Sequence, residues 1–573
     1  MSLRRLPAAF SLIALLLVVA ATAWGAPPKL TSLFPVGAGR GQTANVLAIG
    51  EFSAWPPRIW VDRPGVRIEA EKEQGKLKFT VAADAEPGLC WIRMYNSEGV
   101  SSLRPFVVGT IKEVDEQEPN NGPDKSQRIE GPTTINGRID KADVDTFLLQ
   151  LKKGQTLVAS VQANSDLGSP MDAVLQVCAV TVGTGGATKQ EELKPGEPPV
   201  FKEAYVLEHN DDAVGLDPRI VFDVPNDGWY QVRLFAFPAI GTAGIGFAGG
   251  DDFIYRLTLT TGGFLDHALP MAVVRDSSHD FQLFGWNLDS NKQRVPSLTM
   301  AESAGPTCVP AEFRLFREGA AGVLGLPVIE HANVIANVAA DPSSPQAIEI
   351  PVTITGRLES PGAKDSFKFS AKKGEQIRFT VEARSLGYEL DPVLTIYAAE
   401  GKKLQAADDS RDRQQRDPEI TFSTPADGEY HVTIHDAHQR GGFRYPYRLT
   451  VLRLRPDFSL TVKEEAVLLR AGKTVEIPIT VNRLDGFKEE LEIAALGLPT
   501  GVTATAVRSE NKGDSAKAVK LILQAESGSV VEFQGPIRIQ GKTLADSPSV
   551  RWATFTAPAR GAPNVLIWLT VAP

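Results

Sequence analysis

The chain has 573 residues, among them 50 glycines and 40 prolines, and a formal net charge of −9 from 69 acidic against 60 basic residues. No basic cluster survives beyond the first few residues, which argues against nucleic acid as a partner. Three cysteines (Cys90, Cys178, Cys308) allow one bridge at most and rule out a disulfide-built scaffold, while the length suffices for four or five domains with cores of their own.

The N-terminal stretch "MSLRRLPAAFSLIALLLVVAATAWGAPP" joins two arginines to a short apolar run and to small residues at Ala21 and Ala23. This is the anatomy of a secretory leader, assigned to residues 1–23. No later stretch reaches the ~18 apolar residues of a membrane helix. The expectation is an exported chain, periplasmic, secreted or at the cell surface, with no membrane insertion.

Glycine and proline interrupt the remainder so often that long helices have little room, and the runs between them alternate apolar and polar residues. That pattern predicts an all-β chain of tandem β-sandwiches. A first unit covers 24–110 and a second 111–262. Within the second, "EQEPNNGPDKSQRIEGPTTINGRIDKADVDTF" (Glu116 to Phe147) gathers oxygen donors as no other stretch does. In an extended arm Glu116, Glu118 and Asn120 share one face. Three such donors suit a hard cation such as calcium, and Asp140, Asp143 and Asp145 supply more if the arm folds back over the sheet.

Beyond 262 the chain repeats itself. "KKGQTLVASVQA" at Lys152 returns as "KKGEQIRFTVEA" at Lys372, keeping Leu157, Ala159, Val161 and Ala163 in phase with Ile377, Phe379, Val381 and Ala383. "DPRIVFDVPNDGWYQVRL" from Asp217 returns at Asp417, and "YRLTL" at Tyr255 as "YRLTV" at Tyr447. A third unit therefore covers 263–329 and a fourth, copying the second, 330–455. The third copies part of the first, with Pro35, Arg40 and Gly50 matched by Pro270, Arg275 and Gly285. Residues 456–573 alternate again and form a fifth.

The longer repeat, with "EPNN", "INGRIDKADVDTF", "KKGQ", "NDD", "DP" and "NDGWYQV", resembles the bacterial pre-peptidase C-terminal (PPC) domain family, and is similar to the collagen-binding modules of bacterial collagenases. The resemblance implies jelly-roll-like sandwiches. The first and third units resemble Ig-like domains of the IPT/TIG type, and the fifth a generic Ig-like sandwich. In the collagenase modules a calcium sits between such an arm and such a loop, which implies ligand roles for Glu116, Glu118, Asn120, Asn121, Asp140 and Asp143. Setting Val114 against Val328 puts Glu330, Ala332, Val334 and Ile335 opposite Glu116, Glu118, Asn120 and Asn121. Ala363 stands opposite Asp143, so one calcium is expected in the first copy and none in the second.

Other motifs read as structure. "ADDSRDRQQRDPE" (Asp408, Asp409, Asp412, Asp417) lacks the glycine and glutamate of an EF-hand and suits aspartates capping their own turns. His431 and His435 read as ordinary strand histidines. "GKT" at Gly472 and Gly541 lacks the upstream glycine of a phosphate loop, so both are expected as turns entering strands. Trp55, Trp60 and Trp229 suit either sugar stacking or a core. Neither G-x-S-x-G nor H-E-x-x-H occurs. The expected function is non-catalytic: a secreted binding or adhesion protein for an extracellular protein or polysaccharide ligand. The alternative is an accessory or cryptic part of a secreted peptidase or glycosidase system.

Overall fold

The period-two alternation does what sheet geometry requires: one face of each strand is dry and the other meets water or a neighbour. The computed structural model describes residues 26 to 572 except 142, 183–200, 241–245, 296–311, 338–342, 411–415, 528–531, 546 and 558–562. The leader, Cys308 and Asp412 lie outside the described residues. Cys90 and Cys178 are buried free thiols. The described chain is a succession of β-sheets with one four-residue α-helix and two short 3-10 turns. No helix among the described residues is long and apolar enough to cross a membrane.

Two sandwiches share one topology. In the first, Glu113–Asp115, Thr133–Arg138, Ile254–Thr260, Thr156–Gln162 and Arg219–Asp223 lie side by side in one sheet. Gln127–Arg128, Asp145–Leu151, Gly228–Pro238, Met171–Val182 and Phe201–Asn210 form the other. The second sandwich repeats this order from Ala332–Ile335 to Pro446–Arg453. Leu157, Ala159, Val161 and Ala163 enter the first core, and Ile377, Phe379, Val381 and Ala383 the second. In each sandwich the entering arm pairs in parallel with both sheets. Glu113–Asp115 joins one edge and Gln127–Arg128 the other, so residues 116–126 cross from sheet to sheet.

The shorter units also correspond. Lys29–Phe34 pairs with Thr43–Glu51 through a bulge between Leu30 and Ser32, and Phe264–Leu269 with His279–Trp286 through a bulge between Leu265 and His267. The last unit departs from two separate sheets. Its eleven strands among the described residues form one hydrogen-bonded sheet, because Phe533–Thr543 pairs with Ile567–Ala572 along its first half and with Leu491–Leu496 and Val550–Thr556 along its second. Gly541 is likewise no turn: it sits inside that strand, where a Cβ would press on Phe458 and Leu460. Gly472 does lie in a turn, at φ +68°.

The last unit packs against the first. Trp568, 1% exposed, lies edge-on to Trp60 at 5.9 Å and 4.9 Å from the Tyr95 ring. Trp60 thus serves packing. Beside it the buried Arg93 guanidinium donates to the Ser101 carbonyl at 2.8 Å and to Glu465 at 3.1 Å. Glu465→Ala leaves that cation with one partner fewer in a dry contact, so it should cost roughly 1.5–3 kcal/mol. Urea unfolding of the full chain checks this, with the last unit expected to loosen first.

Candidate metal centre

The crossing arm lays its acidic residues over the mouth of the first sandwich, where the strand Asp145–Leu151 begins. Glu116 reaches inward: its carboxylate accepts the Arg138 amide at 2.7 Å and the Tyr255 hydroxyl at 2.9 Å. The same hydroxyl lies 2.6 Å from Asp145 Oδ2. Carboxylate oxygens of Glu116, Glu118 and Asp145 lie within 4.8 Å of one another. Glu118 accepts the Asn120 amide at 2.8 Å and sits against Asp143. The Asp143 carboxylate also takes the Val144 amide at 2.8 Å and the Asn121 side-chain amide.

Space for this comes from Gly137, whose missing Cβ would run into the Tyr255 hydroxyl and Glu116 Oε2. Asn120 is fully buried, and both atoms of its side-chain amide lack partners, as does Asp145 Oδ1. Buried polar atoms without partners are rare and call for an explanation.

Electrostatics gives the same account. Burial pushes the Glu116 carboxyl up to about 7 despite the hydrogen bonds it accepts. Burial, then the Glu116 charge, holds Asp145 well above the usual carboxylate range. Glu118 is raised by burial and by the Asp143 and Asp140 charges. Clustered carboxylates at neutral pH repel one another unless a cation lies among them. An all-oxygen set with unpartnered oxygens fits a hard cation.

Of the residues expected from sequence, Glu116, Glu118, Asn120 and Asp143 come together. Asp140 stands on the rim, mostly exposed and paired with Arg138 at 3.3 Å. Asn121 serves Asp143 as a hydrogen-bond donor. Asp145 sits at the centre, and Tyr255 and Gly137 were missed. The signal for those two lay in the repeat, since Gly356 and Tyr447 recur with the same close approach.

The strand register corrects the sequence alignment of the second copy. Ile135 and Ile354 occupy matching places, and Val114 pairs with the first as Val334 does with the second. Ala336 therefore stands opposite Glu116, and Glu330 does not. Val338, outside the described residues, follows opposite Glu118 in sequence. Asp365 persists in the place of Asp145, with the Tyr447 hydroxyl 2.6 Å away, and Glu359 pairs with Arg357 as Asp140 does with Arg138. Two of the other aspartates serve the fold. Asp217 accepts the amides of Ala163, Asn164 and Ser165, and Asp417 those of Ala383, Arg384 and Ser385. Each caps a turn distant in sequence rather than its own.

Residues 363–436, in the second copy, match the model of the bacterial pre-peptidase C-terminal domain. A probable subtilase-type serine protease of Deinococcus radiodurans is 28% identical over 190 residues, 32% of this chain and 25% of the relative. The chain thus spans about a quarter of that relative's length. Fibronectin(III)-like modules of Clostridium thermocellum CbhA align at 11% identity and a TM-score of 0.12, over 33% of this chain and 93% of theirs. Tripeptidyl peptidase 2 aligns at 9% identity and 0.14, over 90% and 39%. Superpositions this poor carry no weight for fold or activity.

Two outcomes follow from this geometry. Gly137→Ala should displace Tyr255 and Glu116 and cost about 1–3 kcal/mol, read by urea unfolding. Burial also pushes the Asp365 carboxyl up to about 6, against the Tyr447 hydrogen bond. The native state then binds a proton more readily than the unfolded chain, so this group's contribution to stability falls as pH rises from about 4 to about 6. Asp365→Asn should flatten that part of the stability profile while leaving an acceptor for Tyr447. A profile with unchanged slope would show that Asp365 does not titrate there.

Proposed function

We propose that the chain is a secreted, non-catalytic multidomain binding protein recognising an extracellular protein or polysaccharide, and that its first repeat is a PPC-type domain holding one calcium ion. The observation that carries the metal reading is the convergence of Glu116, Glu118 and Asp145 beside a fully buried Asn120 whose side-chain amide has no partner. Glu116, Glu118, Asn120, Asp143 and Asp145 would hold the ion, and Asn121 would orient Asp143. Bound there, calcium supplies the positive charge that lets these carboxylates stay ionised side by side.

The chain's own residues give the site a mechanical role. Arg138, whose amide holds Glu116, stacks its guanidinium 5.7 Å over Phe34 of the first unit and pairs with Asp251 at 3.3 Å. Ser32 of the first unit donates to the Asp251 carbonyl at 3.0 Å. Docking of the arm and the angle between the first two units are thereby linked.

The subtilase-type relative favours a second reading, in which the chain is an accessory of a secreted peptidase and positions it on substrate. The two differ in what the exported chain does alone. On the first, it binds a matrix protein or glycan from an array and hydrolyses none of them; on the second, it binds none and raises the activity of a co-secreted peptidase.

The calcium reading is tested by calorimetric titration of the mature full chain, wild type beside Glu118→Ala. One site is expected in the wild type, with stabilisation of RT ln(1 + L/Kd), about 2.7 kcal/mol when free calcium is 100 times Kd. Glu118→Ala should abolish most of it with the sandwich still folded. Equal heats from both proteins, or none from the wild type, would leave the arm a solvated acidic linker.

A further inference from the structure

Three units meet at one buried carboxylate. Asp266 lies on Phe264–Leu269 of the third unit, at the bulge, which turns its side chain toward both neighbours. Its side chain is 1% exposed. Oδ1 receives Arg219 Nη1 of the first PPC-like sandwich at 2.6 Å, and Arg444 of the second lies 3.5 Å away. Oδ2 lies 2.9 Å from Nδ1 of His267.

Apolar contacts close around these ions. The fully buried His267 ring stacks on Phe284 of its own unit at 4.6 Å and meets Tyr388 and Phe443 of the second PPC-like sandwich at 5.7 and 5.2 Å. Arg219 lies 4.9 Å over the Phe264 ring and donates to Ser160 at 3.1 Å. Arg444 donates to the Gly387 carbonyl at 2.7 Å. These same ions line a cavity of about 320 Å³ where the first four units meet.

The repeats show that the cluster belongs to this junction and not to the folds. At the place of Asp266 the first unit has Thr31, at the matching bulge. The second repeat has Glu419 where the first has Arg219, and the first has Asp252 where the second has Arg444. All three charged residues are absent from the sister copy, and two are replaced by the opposite charge. Each sandwich folds without them, so their common feature is the contact they make with one another.

We infer that Asp266 is a lock holding the two PPC-like repeats at a fixed angle on either side of the third unit, so that the two repeats move as one rigid body. A buried ion cluster suits this role: removing one member strands the others away from water, and the arrangement has no equally good alternative. Its burial also shields it from the salt that loosens surface pairs. The lock is independent of the calcium reading, because the arm residues lie at another joint.

The test is single-molecule energy transfer in the full chain, with calcium chelated. Cys308→Ser removes the thiol outside the described residues, and dyes go on Lys153→Cys and Lys373→Cys, exposed turn positions in the two repeats. The chain with Asp266 should give one narrow distance distribution, unchanged between low and high salt. Asp266→Thr borrows the residue that the first unit carries, and should broaden or split the distribution. Arg219→Glu and Arg444→Asp borrow from the sister repeats in the same way and should do likewise, which keeps the test decisive if Asp266→Thr fails to fold. A distribution that stays narrow in folded variants would overturn the lock, as would a broad one in the unsubstituted chain.

Discussion

In both repeats a carboxylate at the start of one sheet's strand meets a tyrosine hydroxyl from the facing sheet, 2.6 Å away and out of reach of bulk water. A buried carboxylate is costly unless its lone pairs are used, and the tyrosine supplies one hydrogen bond. That bond also ties the two sheets together at one end of the sandwich. It requires a residue without Cβ on the adjacent strand, hence Gly137 and Gly356. The second repeat stops there. The first brings Glu116 onto the same hydroxyl, and a single donor now faces two carboxylates. Burial already raises such a carboxyl, as at Asp365, and the Glu116 charge raises Asp145 further; beside them the arm gathers Glu118 and Asp143 and leaves the side-chain amide of Asn120 without partners.

The two repeats also join their preceding units through one equivalent arginine. Arg256 pairs with Glu113, which exchanges backbone hydrogen bonds with the Gln42 side chain of the first unit. Arg448 donates to Glu382 and to the Met271 carbonyl of the third unit. Such ions contribute little net stability in a dry joint, but they penalise every orientation that leaves them unpaired. The repeated object is therefore a pair of units with its joint included. The chain is two such pairs and a final unit that folds back onto the first.

Strand type and core-facing positions were legible because they rest on period-two alternation that recurs in phase: Leu157, Ala159, Val161 and Ala163 point inward, as do Ile377, Phe379, Val381 and Ala383. The arm was harder. Its strands are two to four residues long, too short for periodicity, and the loop between them shares almost no residues between copies. A six-residue alignment slip, Val328 for Val334, followed. What repeats there is backbone pairing together with one side chain: Gln127 accepts the Gln117 amide and donates to the Asp115 carbonyl, as Gln346 does with Asn337 and Ile335. Asp145 was expected as one more donor from its loop, and its central place was not legible because the tyrosine it faces lies 110 residues away. The single sheet of the last unit had no sequence signal, since it depends on one long strand changing partners midway.

The cores of the two copies match in apolar residues, and three positions where the copies disagree in charge face a boundary. Glu116 against Ala336 marks the arm crossing, and Arg219 against Glu419 marks the third unit. Glu419 turns back to its own sandwich, with Arg378 3.8 Å away. Packing explains the asymmetry. A core position tolerates few volume changes because both sheets must still interlock, whereas an edge position is constrained by whatever lies beyond the sandwich. The first repeat meets its own acidic arm and, through Arg219, the Asp266 cluster, and the second meets that cluster through Arg444. Two copies of one fold have been fitted to different surroundings through side chains at their rims, and those rim positions are where the chemistry of this chain lies.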